Sequence, residues 1–115
     1  MNTHRAGRAG EERAAAYLDS KGYTIVEKNF RTPRGEVDII AVQGATLAFV
    51  EVKSWKSFGP AELEYAIGKT KQRRIRLAAR AFLGQQPAYS GYRIRFEVVF
   101  LNAAGTEIRH LTDVF

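Results

Sequence analysis

Apolar positions change their period several times along the chain, and each change marks an element. Ala14, Ala15 and Leu18 share one helical stripe, and Gly22 follows as a natural stop. This predicts a first helix from Gly7 or Gly10 to Lys21. Tyr23–Phe30 alternates and is rich in β-branched and aromatic residues, which predicts a strand. Arg31-Thr-Pro-Arg-Gly35 reads as a turn, and Glu36–Val42 as a second strand. Gln43-Gly44-Ala45 turns the chain into a third strand, Thr46–Ser54, where Leu47, Phe49, Val50 and Val52 point to a central, buried position. Trp55–Gly59 is a loop. Pro60 suits the first position of a helix, with Glu62 and Glu64 in the turn where the macrodipole favours anions. That helix is expected to reach about Leu83, with Gly68 bending it. Gln85–Gly91 is a loop. Tyr92–Leu101 alternates, with Ile94, Phe96, Val98 and Phe100 on one face, and Ala103-Ala-Gly105 leads into a last strand, Thr106–Leu111. The order α-β-β-β-α-β-β describes an α/β or α+β sheet with helices packed on it, not a pure alternating βαβ chain.

Several charged residues break this pattern. Glu11 lies three, four and seven residues before Ala14, Ala15 and Leu18, in the middle of the apolar stripe. A carboxylate there needs a partner, a metal or a cavity. A simple capping or pairing role in the first turn explains it equally well. Glu36 and Asp38 share one face of the second strand, and Glu51 and Lys53 share one face of the third. With an even hairpin loop such as Gly44-Ala45, Asp38 and Glu51 face each other. Two like charges so placed destabilise a sheet unless a cation lies between them. Mg²⁺, commonly held by one or two carboxylates, water and phosphate, suits such a pair. Lys53 would point into the same site, to contact a phosphate oxygen or position a water. The plain alternative is a solvated strand face on which Glu51 and Lys53 pair. The apolar neighbours Phe49, Val50 and Val52 weigh against it.

The second long helix carries Lys69, Arg73, Arg76 and Arg80 at spacings of four, seven and eleven residues from the first, one basic ridge. Such a ridge can track a phosphate backbone, or merely keep a helix face solvated. Lys71 instead lies four residues after Ile67 and four before Ile75, on the apolar stripe. It must either snorkel outward or point into a polar site. Arg31 and Arg34 in the turn before Asp38, with Arg5 and Arg8, extend a positive rim.

Composition sharpens this picture. The chain has 115 residues, a length that predicts one domain, and a net charge of +6 that favours an anionic partner. With no cysteine, disulfides and zinc–thiolate sites are excluded. No phosphate-binding glycine loop, dinucleotide fingerprint or Ser-His-Asp arrangement is present. His4 stands near the terminus, and His110 reads as a surface strand residue. No apolar run is long enough to span a bilayer, and Met1–Ala16 lacks the apolar region of a signal peptide. A cytoplasmic protein with no membrane partner is the expectation.

Gly10-Glu11 with Ala14 to Leu18, Gly22-Tyr23, Asn29-Phe30-Arg31, Gly35-Glu36-Val37-Asp38-Ile39-Ile40 and Phe49-Val50-Glu51-Val52-Lys53 resemble the bacterial YraN-like family. Lys71-Gln72-Arg73-Arg74-Ile75 and Arg95-Phe96-Glu97-Val98-Val99 continue the resemblance over nearly the whole chain. That family is placed in the PD-(D/E)XK nuclease superfamily and is similar to archaeal Holliday-junction resolvases. The resemblance implies a restriction-endonuclease-like fold, a central mixed β-sheet flanked by helices. It implies Asp38 and Glu51 as metal ligands, Lys53 as the catalytic lysine, Glu11 as the helix-borne acid, and Lys71 as a further polar site residue. Where the family more often has Asp, this chain has Glu97, which reads as structural. Resolvase relatives work as dimers on a two-fold symmetric junction, so a homodimer belongs to the same expectation.

The leading expectation is a nuclease acting on DNA, ahead of RNA, and on branched or damaged DNA in particular. Asp38 and Glu51 with the carbonyl of Val52 would hold Mg²⁺, or Mn²⁺ in its place. Glu11 would act through a water or a second metal, and Arg31, Arg34, Lys69, Lys71, Arg73, Arg76 and Arg80 would contact nucleic acid. The rival readings are a nucleic-acid-binding module of the same fold with little or no catalysis, and a protein-interaction subunit.

Overall fold

The computed structural model describes residues 7–55, 67–102, 106–113 and 115. Its elements are α1 (Arg8–Ser20), β1 (Thr24–Arg31), β2 (Glu36–Gln43), β3 (Thr46–Trp55), α2 (Lys69–Gln85), a 3₁₀ turn (Pro87–Tyr89), β4 (Arg93–Asn102) and β5 (Ile108–Thr112). The strands form one five-stranded sheet in the order β1-β2-β3-β4-β5. All neighbours are antiparallel except β3 and β4, which run parallel. A parallel pair cannot be joined by a tight turn, and α2 lies on the crossover between them. This mixed sheet with flanking helices is consistent with a restriction-endonuclease-like fold. No helix among the described residues is long and apolar enough to cross a membrane.

Local chemistry sets the boundaries. At the end of α1 the N–H groups of Lys21 and Tyr23 donate to the Leu18 carbonyl and that of Gly22 to Asp19, with Gly22 at φ 92°. Gly44, at φ 60°, opens a two-residue hairpin in which Gln43 pairs with Thr46. Among the described residues Ala45 does not share the positive φ, so the turn follows the pattern that places glycine first. One expectation needs correction. Gly68 does not bend a helix that runs through it. It is extended (φ −71°, ψ 169°) and caps α2, which begins at Lys69. The stretch from Pro60 to Ala66 and the Ala103–Gly105 turn lie outside the described residues.

The helices cover opposite faces of the sheet. On one, Ala14, Ala15 and Leu18 of α1 pack with Ile39, Ala41, Ala48, Val50, Val52, Val99 and Leu101. On the other, Ile75, Ala78, Ala79 and Phe82 of α2 pack with Phe30, Ile40, Leu47 and Phe49. Alternation along β3 makes this division possible, since successive residues point to opposite faces. The α2 layer has a point of very close approach. A Cβ on Gly35, in the β1–β2 turn, would stand 1.9 Å from the backbone carbonyl oxygen of Arg74. Only glycine lets the turn and the helix backbone meet there.

The α1 layer contains a buried polar cluster around Glu97, which is fully inaccessible. Its carboxylate accepts hydrogen bonds from Tyr23 Oη (3.0 and 3.1 Å) and Arg95 Nε, and lies 2.6 Å from His110 Nε2. Arg95 Nη2 also donates to Tyr23 Oη and to Gln43 Oε1. His110 is therefore not a surface strand residue: its side chain is only 12% exposed, and Tyr17 packs edge-on against its ring. Burial opposes ionisation of Glu97, but the bonds from His110, Arg95 and Tyr23 outweigh it and hold the carboxyl below its ordinary value. Burial and the Glu97 charge push the Tyr23 hydroxyl up to about 12. Glu97 thus has the structural role read from the sequence.

Gly35→Ala should destabilise the fold by roughly 1–3 kcal/mol, the usual cost of overpacking, as read by urea denaturation. Glu97→Ala should cost roughly 1–3 kcal/mol, because it removes the buried acceptor shared by Tyr23, Arg95 and His110. The folded state binds the Glu97 proton less readily than the unfolded chain. Its contribution is therefore full above pH 4.5 and fades as pH falls through the lowered value. Thermal melts across that range should show an acid-side loss of stability in the wild type that is weaker in the variant.

Candidate active site

The β2–β3 ladder runs from Gln43↔Thr46 to Ile39↔Val50 and would next bring Asp38 opposite Glu51. There Asp38 intervenes: its Oδ2 accepts the backbone N–H of Val52 at 2.8 Å in a buried bond. The N–H and C=O of one residue leave an antiparallel strand on the same edge. The Val52 carbonyl therefore also faces β2, while its side chain is buried under α1. Turn length, register and one side-chain bond together bring Asp38, Glu51 and the Val52 backbone to one place.

Glu51 is the most constrained member. It is 1% exposed, deep in the sheet. Its Oε2 lies 3.3 Å from Lys71 Nζ, whereas its Oε1 is buried and has no hydrogen-bond partner among the described residues. Burial and the neighbouring Asp38 carboxylate push its pKa up to about 8, although Lys71 and Lys53 pull the other way. Lys53, two residues on and half-buried, is shifted down, chiefly by burial and secondarily by Lys71; Glu51 and Asp38 offset part of this.

The lysine that ion-pairs with Glu51 thus comes from α2. Lys71 does not snorkel outward; it bridges Glu51 and Glu36, the latter at 3.7 Å. Glu36 was assigned no role from the sequence, although its alternation with Asp38 on one strand face was the available signal. It also pairs with Arg31 Nε at 3.5 Å, so part of Arg31's charge is balanced within the protein. Glu11 is buried, 7% exposed, in the first turn of α1. That puts it in the layer on the opposite side of the sheet from Lys71.

The ridge on α2 is real: Lys69, Arg73, Arg76 and Arg80 are all exposed. Arg76 is partly engaged, with its guanidinium 5.7 Å from the Phe96 ring centroid and 5.4 Å from that of Phe115. Arg34 is exposed at the tip of the β1–β2 turn. Arg5 and the loop after Trp55 lie outside the described residues.

Two buried carboxylates, one orphaned oxygen and a backbone carbonyl facing the same gap make an oxygen-only donor set. Among the described residues no group of three or more His, Cys, Asp or Glu side chains gathers for a metal. The set therefore fits a hard ion that completes its shell with water and phosphate, as Mg²⁺ or Mn²⁺ does, better than a closed zinc site.

The family model described as uncharacterised protein family UPF0102 matches residues 10–101. A UPF0102 protein of Nitrobacter winogradskyi is 44% identical over 110 residues, covering 96% of this chain and 91% of the relative. One from Rhodopseudomonas palustris is 43% identical, covering 96% of this chain and 80% of the relative. One from Desulfosudis oleivorans is 41% identical, covering 95% and 88%. The match takes in Glu11, Asp38, Glu51, Lys53 and Lys71 alike, and the chain belongs to the UPF0102 family.

Proposed function

We propose that this chain is a nuclease that hydrolyses phosphodiester bonds of DNA with Mg²⁺ or Mn²⁺. The observation that carries this reading is Glu51, a carboxylate deep in the sheet with one oxygen unpartnered among the described residues, beside a second carboxylate and within reach of a lysine. A module that only bound nucleic acid would gain nothing from buried carboxylates beside phosphates, where they repel the ligand.

Asp38, Glu51 and the Val52 carbonyl would hold the ion. When bound, it supplies Lewis acidity toward the phosphate and a more acidic water. The protein's own groups do the rest. Lys53, partly removed from water, neutralises charge on a phosphate oxygen or orients the attacking water. Lys71 holds Glu51 and Glu36 in place and balances their charge. Glu11 acts from the α1 layer through a water. The exposed ridge of α2 holds the sugar–phosphate backbone without reading bases.

Labelled branched and linear DNA should be cut in Mg²⁺ or Mn²⁺, and Glu51→Gln should slow cutting by about 100-fold or more. Equal rates for the variant would overturn these roles. Salt-sensitive binding without cutting in any divalent ion would move the reading to a binding module.

Metal binding should be linked to protons. Without metal, the folded state keeps a proton on Glu51 between pH 4.5 and about 8 that the unfolded chain has lost. Its contribution to stability is full below pH 4.5 and lost as pH rises through 8. Adding Mn²⁺ at pH 7 should release that proton and stabilise the fold. Calorimetric heats should therefore vary with the ionisation enthalpy of the buffer in the wild type. Asp38→Asn with Glu51→Gln should abolish both the heat and the stabilisation.

A further inference from the structure

The seam between the β1–β2 turn and α2 continues past the carboxylates. Beyond the contact of Gly35 with Arg74 it opens into a cavity of about 350 Å³ lined by Thr32, Pro33, Arg34, Leu77, Arg80 and Ala81. The volume is that of a small-ligand site. Among the described residues the lining contains two arginines and no acidic side chain. Among the described residues neither Arg34 nor Arg80 has an ion-pair partner, in contrast to Arg31, Arg95 and Arg109. Pro33, Leu77 and Ala81 supply an apolar floor between them.

The turn that carries Arg34 is braced. Thr32 Oγ1 accepts the N–H groups of Arg34 (3.1 Å) and Gly35 (3.0 Å), and the Thr32 N–H donates to the Gly35 carbonyl at 2.8 Å. The Arg80 wall stands on the same helix as Lys71, nine residues on, or roughly 13 Å along its axis. Cavity and carboxylate site are thus held at a fixed spacing along one seam.

We propose that this cleft holds one unstacked nucleotide of a single DNA strand. The base lies on Pro33, Leu77 and Ala81, and its flanking phosphates lie on Arg34 and Arg80. A continuous duplex keeps its bases stacked inside and presents no ring to such a floor, whereas an unpaired strand presents both ring and phosphates. The substrate class is then DNA with an unpaired stretch, such as a flap, a gap or an open end, with the strand leading from the cleft to the carboxylates. The inference takes its ligand class from the nucleic-acid reading of the carboxylate site but does not require that site to cut.

The test is fluorescence anisotropy in EDTA, where no cutting can occur. Labelled oligothymidylate is compared with a blunt duplex of equal length, for the wild type and for Arg34→Ala with Arg80→Ala. Both arginines are exposed, so the double variant should keep its fold; a circular dichroism melt checks this. Tighter binding of the single strand is expected. In the double variant that binding should fall tenfold or more, and the slope of log K against log salt should fall by roughly 1.4, two phosphates at about 0.7 each. Methyl resonances of Leu77 and Ala81 should move on adding oligothymidylate, and should still move when Lys69 and Arg73 are replaced by Ala. Equal or tighter binding of duplex, unaltered in the double variant and with Leu77 unmoved, would overturn the cleft and leave the nuclease reading standing. Binding of neither DNA would also overturn the cleft, and the nuclease reading is decided separately by cutting in Mg²⁺ or Mn²⁺.

Discussion

Asp38 accepts the N–H of Val52 at the point where β2 and β3 stop pairing, and much of the local architecture follows from that one bond. A backbone donor buried in a sheet has to be satisfied. By taking it with a side chain, Asp38 ends the ladder in the middle of the structure and not at its rim. The bond also fixes a negative group beside Glu51 in a low-dielectric setting, where the repulsion is strong and water is scarce. Lys71 from α2 relieves part of it, so the helix is bound to the sheet by charge as well as by apolar packing. The Gly35–Arg74 contact keeps that helix at the distance this ion pair requires.

The two polar clusters of this molecule show opposite uses of buried charge. Around Glu97 the carboxylate collects donors from Tyr23 and Arg95 and stands against His110, so the charge is satisfied within the protein. Around Glu51 there are two ammonium groups, Lys71 in contact and Lys53 nearby, a second carboxylate, and an oxygen with no hydrogen-bond partner among the described residues. The first arrangement stabilises a fold. The second is a local deficit that the rest of the sheet holds in place, and deficits of that kind concentrate where chemistry is done.

Most of the sheet and the meeting of Asp38 with Glu51 were legible in the sequence because both depend on short-range periodicity. Alternation located the strands to within about two residues, the usual boundary scatter. The even Gly44-Ala45 loop was enough to bring Asp38 beside Glu51, although the ladder itself stops at Ile39 and Val50. What escaped the sequence depends on which segments meet in three dimensions. The placement of Lys71 on an apolar stripe announced a polar destination but not its partners, Glu51 and Glu36. His110 looked like an ordinary outward position until the fold brought it against Glu97. Arg76 counted as one more ridge cation, and only packing shows it over Phe96 and Phe115. Gly68 failed differently. Its weak helix propensity signalled either a bend or a start, and the backbone took the start.

The close approach at Gly35 also bears on how this protein can vary. With the helix backbone seated against the turn at Arg74, α2 acts as a rigid rod clamped near one end, with Lys71 before the clamp and Arg80 after it. A substitution along the rod alters one side chain. An inserted or deleted residue between Lys71 and Arg80 would rotate everything beyond it by about 100° and turn its working face away from the sheet. The length of this segment is therefore under tighter constraint than its composition.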